Sequence, residues 1–334
     1  MERPTSFAEL LVCTFLFGLG PCVSPATAQA AAPDPKGAIL LASAEGLSVF
    51  KRDGVMEFGY FHTPLKDGKP APVAWSDMIY DGHRLPGGNY VCSSHHFVRE
   101  LAPDGRVVWE YRVQAPAELK TCTPLPNGDV MTVDAAQMEL LQLTERGTRI
   151  ARRIPVPTDK AASPHNRYNL LRRTDKGTFL LALRAEKAFV EVDADGKELW
   201  RHAVPDLPVV AERLPGGNTL MSWRGGLLEV SASHETVWQV NTADIKEFPV
   251  VIFGGFHRFP NGNTLVANSD WHYRKPEETR VQLFEINARK EVLWRLEEDA
   301  FAGKKPGSLE PRTGLVEHRI IGIDWISATP TPSP

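Results

Sequence analysis

The chain has 334 residues, and its 38 Lys and Arg residues nearly balance its 41 Asp and Glu residues, which gives a formal net charge of −3 at pH 7. This near-neutral balance, without a basic run, argues against nucleic acid as the main partner. An apolar stretch at residues 10–23 is interrupted by Pro21 and is too short to span a membrane. Small residues suited to a signal peptidase follow at 28–30. We therefore predict an export signal over residues 1–30 and a periplasmic or extracellular location for the remainder.

Two of the four cysteines lie outside this predicted signal. Cys92 and Cys122 either form one disulfide in an oxidising compartment or stay as two buried thiols, and the sequence leaves both open. The chain after residue 30 is long for one ordinary core, but a closed array of repeats accommodates this length as a single domain.

A short sequence unit recurs six times along the chain. It consists of a tight turn, most often of the Asp-Gly type, followed by apolar residues and, in four of the six copies, by a Trp. A spacing of roughly 40 to 55 residues between copies is typical of propellers, solenoids and arrays. The copies end at Phe58, Trp109, Ala151, Trp200, Trp238 and Trp294.

Each repeat also contains a second turn, rich in glycine, as in Leu85–Asn89 and Leu214–Asn218. Asn-Gly and Gly-Gly supply the positive φ angles that a tight hairpin needs. Short apolar and β-branched segments such as 264–267 and 283–286 alternate with these turns, and helical periodicity is essentially absent. Four short, hairpin-linked strands per repeat are typical of a propeller blade.

The two ends of the chain are predicted to complete one blade between them. The first repeat, which begins after a turn at 34–37, lacks its innermost strand, and residues 316–322 have the pattern of an innermost strand alone. Pairing the two removes a sheet edge that would promote aggregation. We therefore predict an all-β fold over residues 31–326. It is a six-bladed β-propeller of four-stranded antiparallel blades, the first blade being closed by the C-terminal strand, with a disordered tail at 327–334.

Two repeated columns of side chains are predicted to be structural. The Trp rings are large and apolar, so we expect them to pack between adjacent sheets. A column of Glu residues recurs with the same period, so we expect these residues to be part of the repeat structure rather than catalytic carboxylates. Its members are Glu100, Glu191, Glu229 and Glu285.

The innermost strands carry a His-Arg pair at one repeat position in three consecutive blades. Because side chains alternate along a strand, the His and Arg sets should face different directions. Three His can bind a transition metal, act as general acid or base, or hydrogen-bond an anion; the structural alternative is an ancestral blade feature. No metal is assigned, since the Arg residues oppose a cation. The pairs are His83-Arg84, His257-Arg258 and His318-Arg319, and blade five has Arg213 at the Arg position.

A second set of polar residues is predicted on the face that carries the long loops. The tight turns share one face of a propeller, so the loops between second and third strands and those between blades share the other, where binding residues concentrate. Aromatic, His and Arg side chains there suit ring stacking and anion pairing, or else form a solvated rim. They are His95, His96, His165, Arg167, Arg224, Trp271, His272, Tyr273 and Arg274.

Three segments, His83–Asn89, Glu191–Trp200 and Arg258–Val266, resemble blades of the bacterial arylsulfotransferase-like and quinoprotein-like β-propellers. The resemblance covers nearly all of the chain after residue 30 and implies the propeller fold. It also implies sulfuryl transfer through a transiently sulfated channel His, a role open to His83, His257 and His318. Quinoprotein dehydrogenases have eight blades and a disulfide between neighbouring Cys, neither of which is present, so no quinone cofactor is implied.

The sequence thus predicts an exported propeller that binds a small-molecule or carbohydrate-like ligand at the channel mouth on the long-loop face. The alternative is an enzyme that uses the channel His residues, either for sulfuryl transfer or as a polysaccharide lyase or hydrolase. A platform for a protein partner is a third interpretation. The sequence identifies no cofactor.

Overall fold

The computed structural model describes residues 37–44, 46–61, 77–269, 281–297 and 320–327, with the backbone of two short strands, β4 (Leu65–Lys66) and β5 (Lys69–Pro70). The predicted export signal and all but the first residue of the predicted tail lie outside this part. No helix within it is long and apolar enough to cross a membrane.

Six four-stranded antiparallel sheets, which we call blades 1 to 6, form among the described residues. Blade 1 contains β1 (Ala38–Ala42), β2 (Gly46–Lys51), β3 (Met56–Phe61) and, as its innermost strand, the C-terminal β26 (Gly322–Ile326). Blade 2 contains β6 (Asp81–Arg84), β7 (Tyr90–Ser93), β8 (Phe97–Leu101) and β9 (Val107–Arg112). Blade 3 contains β10 (Thr123–Pro124), β11 (Val130–Asp134), β12 (Glu139–Thr144) and β13 (Arg149–Pro155).

The remaining three blades follow one short helix, α1 (Pro164–Arg167). Blade 4 contains β14 (Tyr168–Arg173), β15 (Phe179–Leu183), β16 (Ala188–Val192) and β17 (Glu198–Ala203). Blade 5 contains β18 (Pro208–Arg213), β19 (Thr219–Trp223), β20 (Gly226–Val230) and β21 (Thr236–Asn241). Blade 6 contains β22 (Phe253–Arg258), β23 (Thr264–Asn268), β24 (Val281–Ile286) and β25 (Val292–Glu297).

The blades close into a ring around a central channel. Each innermost strand contacts the innermost strands of the two neighbouring blades, and β26 lies between β22 and β6. The apolar faces of adjacent sheets pack against each other, so the core consists of six clusters, one at each interface between blades. The fold is therefore a six-bladed β-propeller, which confirms the prediction.

The C-terminal strand closes blade 1 as predicted, but six residues later than the sequence pattern indicated. β26 pairs with β1 so that Asp324 lies opposite Leu40, whereas the predicted strand was 316–322. The prediction positioned this strand by its His-Arg dipeptide rather than by its apolar residues. In the structure the buried Ile321 and Ile323 pack against neighbouring strands and fix the position of the C-terminal strand. His318 and Arg319 lie outside the described residues.

The repeated Trp and Glu columns are structural, as predicted. Three of the four Glu residues pair with an Arg of the next blade, whereas Glu100 accepts hydrogen bonds from Asn89 and Trp109 of its own blade. Glu229 accepts hydrogen bonds from Asn218 Nδ2 at 2.8 Å and from Arg258 Nη2 of the next blade at 3.1 Å. The same Arg258 guanidinium lies 4.7 Å from the centroid of the Trp238 ring. Glu191, Arg213 and Trp200 repeat this arrangement one blade earlier. Arg213 and Arg258 therefore brace the blades.

The tight turns and the two cysteines of the described residues were also addressed by the sequence. Gly88 and Gly217 have φ angles of 89° and 88°, so the hairpins use the left-handed conformation expected of them. Cys92 and Cys122 are both buried and unbonded, so the alternative of two buried thiols is the one found.

Candidate functional site

One side chain from each innermost strand occupies an equivalent position along the channel. His83 is paired opposite Val91, as His257 is opposite Leu265 and Asp324 is opposite Leu40. Asp324 thus takes the position in blade 1 that the sequence pattern had given to His318. The six equivalent residues are His83, Thr123, Arg172, Glu212, His257 and Asp324.

Four of the channel-side residues form a connected set of charges, which we call the channel network: Asp81, His83, Arg172 and Asp324. Arg172 donates two hydrogen bonds of 2.9 Å to the two oxygens of the fully buried Asp81. His83 Nδ1 donates to Asp324 Oδ2 at 3.1 Å, and its Nε2 lies 3.6 Å from Asp81 Oδ1. The network therefore joins blades 1, 2 and 4 by ion pairs, and Thr121 Oγ1 adds blade 3 by donating to Asp81.

The charges of the network hold one another ionised. Burial opposes ionisation of Asp81, but the adjacent Arg172 and His83 keep the pKa of that carboxyl well below its usual range. Burial would lower the pKa of His83, yet Asp81 and the hydrogen bond to Asp324 raise it to about 9. His83 is therefore an imidazolium at neutral pH, with both nitrogens facing carboxylates.

A cavity of about 200 Å³ opens beside this network; its lining residues are His83, Arg172, Arg173, Glu212, Arg213, Ile323 and Asp324. Burial raises the pKa of Glu212 to about 7, although Arg172 counteracts the effect. His257, the other predicted channel His in the described residues, stacks on Trp325 with ring centroids 6.2 Å apart. Burial lowers its pKa, so this ring is neutral.

A second group of ionisable side chains lies at the long-loop end of the channel, and we call it the mouth cluster: His95, Glu118, Lys120 and His165. His95 lies in the loop between β7 and β8, Glu118 and Lys120 in the segment before β10, and His165 in α1. Glu118 Oε2 accepts a hydrogen bond from His165 Nδ1 at 3.1 Å and lies 3.7 Å from His95 Nε2. Lys120 Nζ lies 3.9 Å from the same oxygen. His95 and Lys120 are fully buried, and His165 is the exposed side of the cluster.

Backbone hydrogen bonds fasten the three segments of the mouth cluster together. The buried Tyr168 hydroxyl accepts from Lys120 N at 2.7 Å and donates to the carbonyl of Val133 at 2.9 Å. In return Lys120 Nζ donates to the carbonyls of His165 and Tyr168, at 2.5 and 2.9 Å. Leu119 N donates to the carbonyl of His95, which joins the third segment. Hydrogen bonds to backbone groups therefore hold the three segments together, and the Lys120 side chain takes part in them.

Burial favours the neutral forms of two basic side chains in the mouth cluster. It lowers the pKa of His95 to about 3 and that of Lys120 to about 7, despite the nearby Glu118. Burial opposes ionisation of Glu118 as well, but the His165 hydrogen bond and the Lys120 charge lower its pKa below the usual range. A carboxylate thus faces a neutral imidazole and a weakly basic amine, a combination that suits proton transfer.

Two arginines lie beside this cluster on the same face. Arg184 follows β15, and Arg224 follows β19, both in loops between second and third strands. The half-buried Arg184 side chain forms no hydrogen bond or ion pair with another described residue, and burial together with Arg224 lowers its pKa. Tyr80 and Glu118 are the groups that counteract this. Arg224 has Asp206 at 3.4 Å.

The other residues predicted on the long-loop face have different surroundings. His96 lies next to the cluster, its ring 6.4 Å from that of His95. Arg167 donates to the carbonyls of Ala135, Ala136, Lys160 and Ala162, so it secures the loop before α1. Arg84 is exposed at the end of β6. Trp271, His272, Tyr273 and Arg274 lie outside the described residues.

Sequence reasoning missed several members of these groups: Tyr80, Asp81, Glu118, Lys120 and Arg184. Four of the five lie in or next to the segments that lead into an innermost strand, and no repeated motif marks these positions. The available signal was Glu118 and Lys120, two charges within the otherwise uncharged segment that leads into Thr121-Cys122. Charges in a buried linker need partners, so their spacing indicated a site.

No protein-family model and no curated protein matches the chain. Among solved structures it is similar to a protein of unknown function from Bacteroides caccae, with a TM-score of 0.67 and 18% identity over 87% of this chain and 98% of that one. It is also similar to a streptogramin B lyase, with a TM-score of 0.53 and 13% identity over 80% and 86%. A catalytically inactive virginiamycin B lyase from Staphylococcus aureus, solved with quinupristin, gives a TM-score of 0.53 and 11% identity over 83% and 88%. These likenesses place the chain among the β-propellers by fold alone.

Proposed function

We propose that this chain is an exported β-propeller that binds a small anionic ligand at the channel mouth on its long-loop face. The ligand class follows from Arg184 and Arg224, whose guanidinium groups suit carboxylate, sulfate or phosphate groups. An anionic sugar or an aryl sulfate would combine such a group with a ring for Tyr80.

The observation that carries this proposal is the state of Arg184. A half-buried guanidinium without a hydrogen bond or ion pair among the described residues is costly, because its charge is partly desolvated and has no directly paired counterion there. A second cation, Arg224, adds repulsion. An anion placed between the two would remove both costs, so the mouth favours a negatively charged ligand over a neutral one.

Calorimetric titration with sulfate, phosphate, a uronic acid and an aryl sulfate tests this proposal. We expect at least one of these anions to bind, and Arg184→Gln to weaken it by about tenfold or more, as expected when one charge-assisted contact is lost. The matched control is Arg106→Gln, an exposed arginine near the tight turns. Anion binding that is absent, or equally affected by both variants, would contradict the proposal.

A second candidate function, an enzyme, is favoured by the mouth cluster rather than by the channel histidines. His95, Glu118 and Lys120 offer a neutral base, a carboxylate and an amine with a pKa of about 7 within one rigid site. Such groups suit proton abstraction in a lyase or activation of water in a hydrolase. Activity on an anionic polysaccharide that disappears in Glu118→Gln and persists in His83→Gln would support this candidate.

Sulfuryl transfer through a channel His is the less favoured enzymatic alternative. A nucleophilic imidazole needs a free lone pair, and the pKa of about 9 keeps His83 protonated between Asp81 and Asp324. His257 is neutral but stacks on Trp325, and Arg213 and Arg258 pair with Glu residues of the preceding blades. Retained turnover of an aryl sulfate in His83→Gln would remove His83 from consideration.

A further inference from the structure

Two imidazoles and a carboxylate converge in the mouth cluster, a donor set that the proposed anion site does not use. The ligating atoms of His95, Glu118 and His165 all lie within 4.8 Å of one another. Glu118 Oε2 is 3.1 Å from His165 Nδ1 and 3.7 Å from His95 Nε2. We propose that these three side chains bind a divalent first-row transition-metal ion, with zinc as the best fit.

The distances suit a small ion after a modest adjustment. Ligands held at about 2.1 Å in tetrahedral geometry are about 3.4 Å apart. The two distances to Glu118 bracket this value, so only the separation of the two imidazoles, which is at most 4.8 Å, has to close by up to about 1.4 Å. The His165 ring would then carry its proton on Nε2 and direct the Nδ1 lone pair at the ion. Two imidazoles and one carboxylate form the ligand set of zinc sites that keep a position open for water or substrate.

The scaffold holds the three ligands in place without a metal. His95 is buried, and its backbone carbonyl accepts a hydrogen bond from Leu119 N. The backbone carbonyl of Glu118 accepts a hydrogen bond from the Tyr168 hydroxyl. Metal sites require ligands whose positions are fixed by surrounding contacts. His165 is about one-third exposed, so an ion can enter from the solvent side.

One charge in the cluster opposes a cation. Lys120 Nζ lies 3.9 Å from Glu118 Oε2 and donates to two backbone carbonyls, so it stays close to the site. Repulsion at this distance reduces affinity. We therefore expect the ion to bind more weakly than in closed structural zinc sites, and to exchange with added metal.

The surface contains a competing pair of histidines that any test must separate from this site. His202 Nδ1 and His234 Nδ1 are 3.2 Å apart, and both rings stack with Trp200 at the outer edge of the propeller. Two exposed imidazoles can chelate added metal adventitiously. His234→Gln removes this pair and leaves the mouth cluster intact, so it serves as the matched control.

Titration of the metal-free full chain with Co²⁺, followed by visible absorption, tests the proposal. We expect the chain to bind one Co²⁺ ion and to show the intense d–d absorption bands that are typical of a low coordination number. Added Zn²⁺ should displace the Co²⁺ and remove these bands. Glu118→Gln and His95→Gln should each weaken binding by about tenfold to a hundredfold, and His234→Gln should leave it unchanged. Binding that is lost in His234→Gln but persists in Glu118→Gln would overturn the proposal, as would no binding by the wild-type chain.

A measurement on the wild-type chain guards against variants that fail to fold. Addition of Zn²⁺ should shift the imidazole ¹⁵N resonances of His95 and His165, while those of His83 and His257 stay unchanged. Shifts confined to His202 and His234 would overturn the proposal. The anion site is separable, because Arg184→Gln should weaken anion binding and leave Co²⁺ binding intact.

Discussion

The channel network and the mouth cluster gather buried ionisable groups in opposite ways. In the channel network every charge faces an opposite charge: Asp81 pairs with Arg172, and His83 lies between two carboxylates. In the mouth cluster three basic groups, those of His95, His165 and Lys120, share the single carboxylate of Glu118. Beside the cluster, Arg184 is repelled by Arg224 and has no ion pair within the described part of the chain. The first arrangement is complete without a ligand, and the second gains from one.

A polar channel residue is therefore not by itself a binding residue. The network joins four blades of the ring, so its groups stabilise closure of the propeller, and a group that is fully paired has little left to offer a ligand. Groups that a rigid scaffold holds in an unfavourable electrostatic state are the better functional candidates.

Removal of the closing strand should have the largest effect. A chain that ends after Ile321 loses β26 and with it Asp324, so β1 becomes an open edge and His83 loses a partner. We expect aggregation or failure to fold, measured by size-exclusion chromatography and circular dichroism. A chain that ends after Ser327 keeps β26 and should behave as the full-length chain does. A monomeric, cooperatively folded product of the shorter truncation would contradict closure by this strand.

Neutralising Asp81 should cost the next largest amount. Asp81→Asn preserves the shape of the side chain but leaves Arg172 as a buried, uncompensated charge. We expect the free energy of unfolding to fall by about 3–5 kcal/mol in urea denaturation, as for other broken buried pairs. Asp104→Asn, at an exposed turn, should change it by less than about 0.5 kcal/mol. Similar losses in the two variants would show that the network does not stabilise the fold.

The charge on His83 should make its contribution depend on pH. Its folded-state pKa of about 9 lies above the ordinary value of 6.5, so the stabilisation is complete below pH 6.5 and is lost as the pH rises through 9. Asp81, Asp324, Arg172 and Glu212 all act on this ring. We expect His83→Gln to be less stable than the wild-type chain by on the order of 2–3 kcal/mol at pH 6, and nearly equal to it above pH 9.5. A difference that is constant from pH 6 to 9.5 would mean that His83 is not an imidazolium.

Replacement of Arg184 should have the smallest effect on stability. Arg184→Gln removes a guanidinium that is repelled by Arg224 and forms no ion pair, so we expect the melting temperature to be unchanged or slightly raised. The change in unfolding free energy should stay within about 0.5 kcal/mol. A destabilisation of about 2 kcal/mol or more would indicate that Arg184 has a structural partner. The mouth arginines would then stabilise the fold, as the channel network does, rather than bind a ligand.

The fold could be predicted because its signals are local and repeated. The tight turns and the strand pattern recur along the chain, and the Trp and Glu columns recur in four of the six copies. A weak signal in one blade is therefore compensated by clearer signals in the others. The exception was the single strand without a complete repeat around it. Placing β26 needed the pairing of Asp324 with Leu40, which is a contact between residues almost 300 positions apart in sequence.

The candidate site was only partly predictable, because it depends on contacts between blades. The sequence indicated His95 and His165 as members of a binding face, and the structure brings them together with Glu118. It did not indicate that Arg213 and Arg258 pair with Glu residues of the preceding blade, or that Arg167 is occupied by carbonyls. Whether a charged group is already paired is set by tertiary geometry, which no local motif records.

The most direct test of the central claim is a titration of the same anion into two variants, His83→Gln in the channel network and Arg184→Gln at the mouth. The anion is the one that the wild-type chain binds most tightly among sulfate, phosphate, a uronic acid and an aryl sulfate. The account predicts that His83→Gln loses stability but keeps the wild-type affinity, whereas Arg184→Gln keeps its stability and loses binding. Anion binding that disappears in His83→Gln and survives in Arg184→Gln would contradict it and return the functional site to the channel.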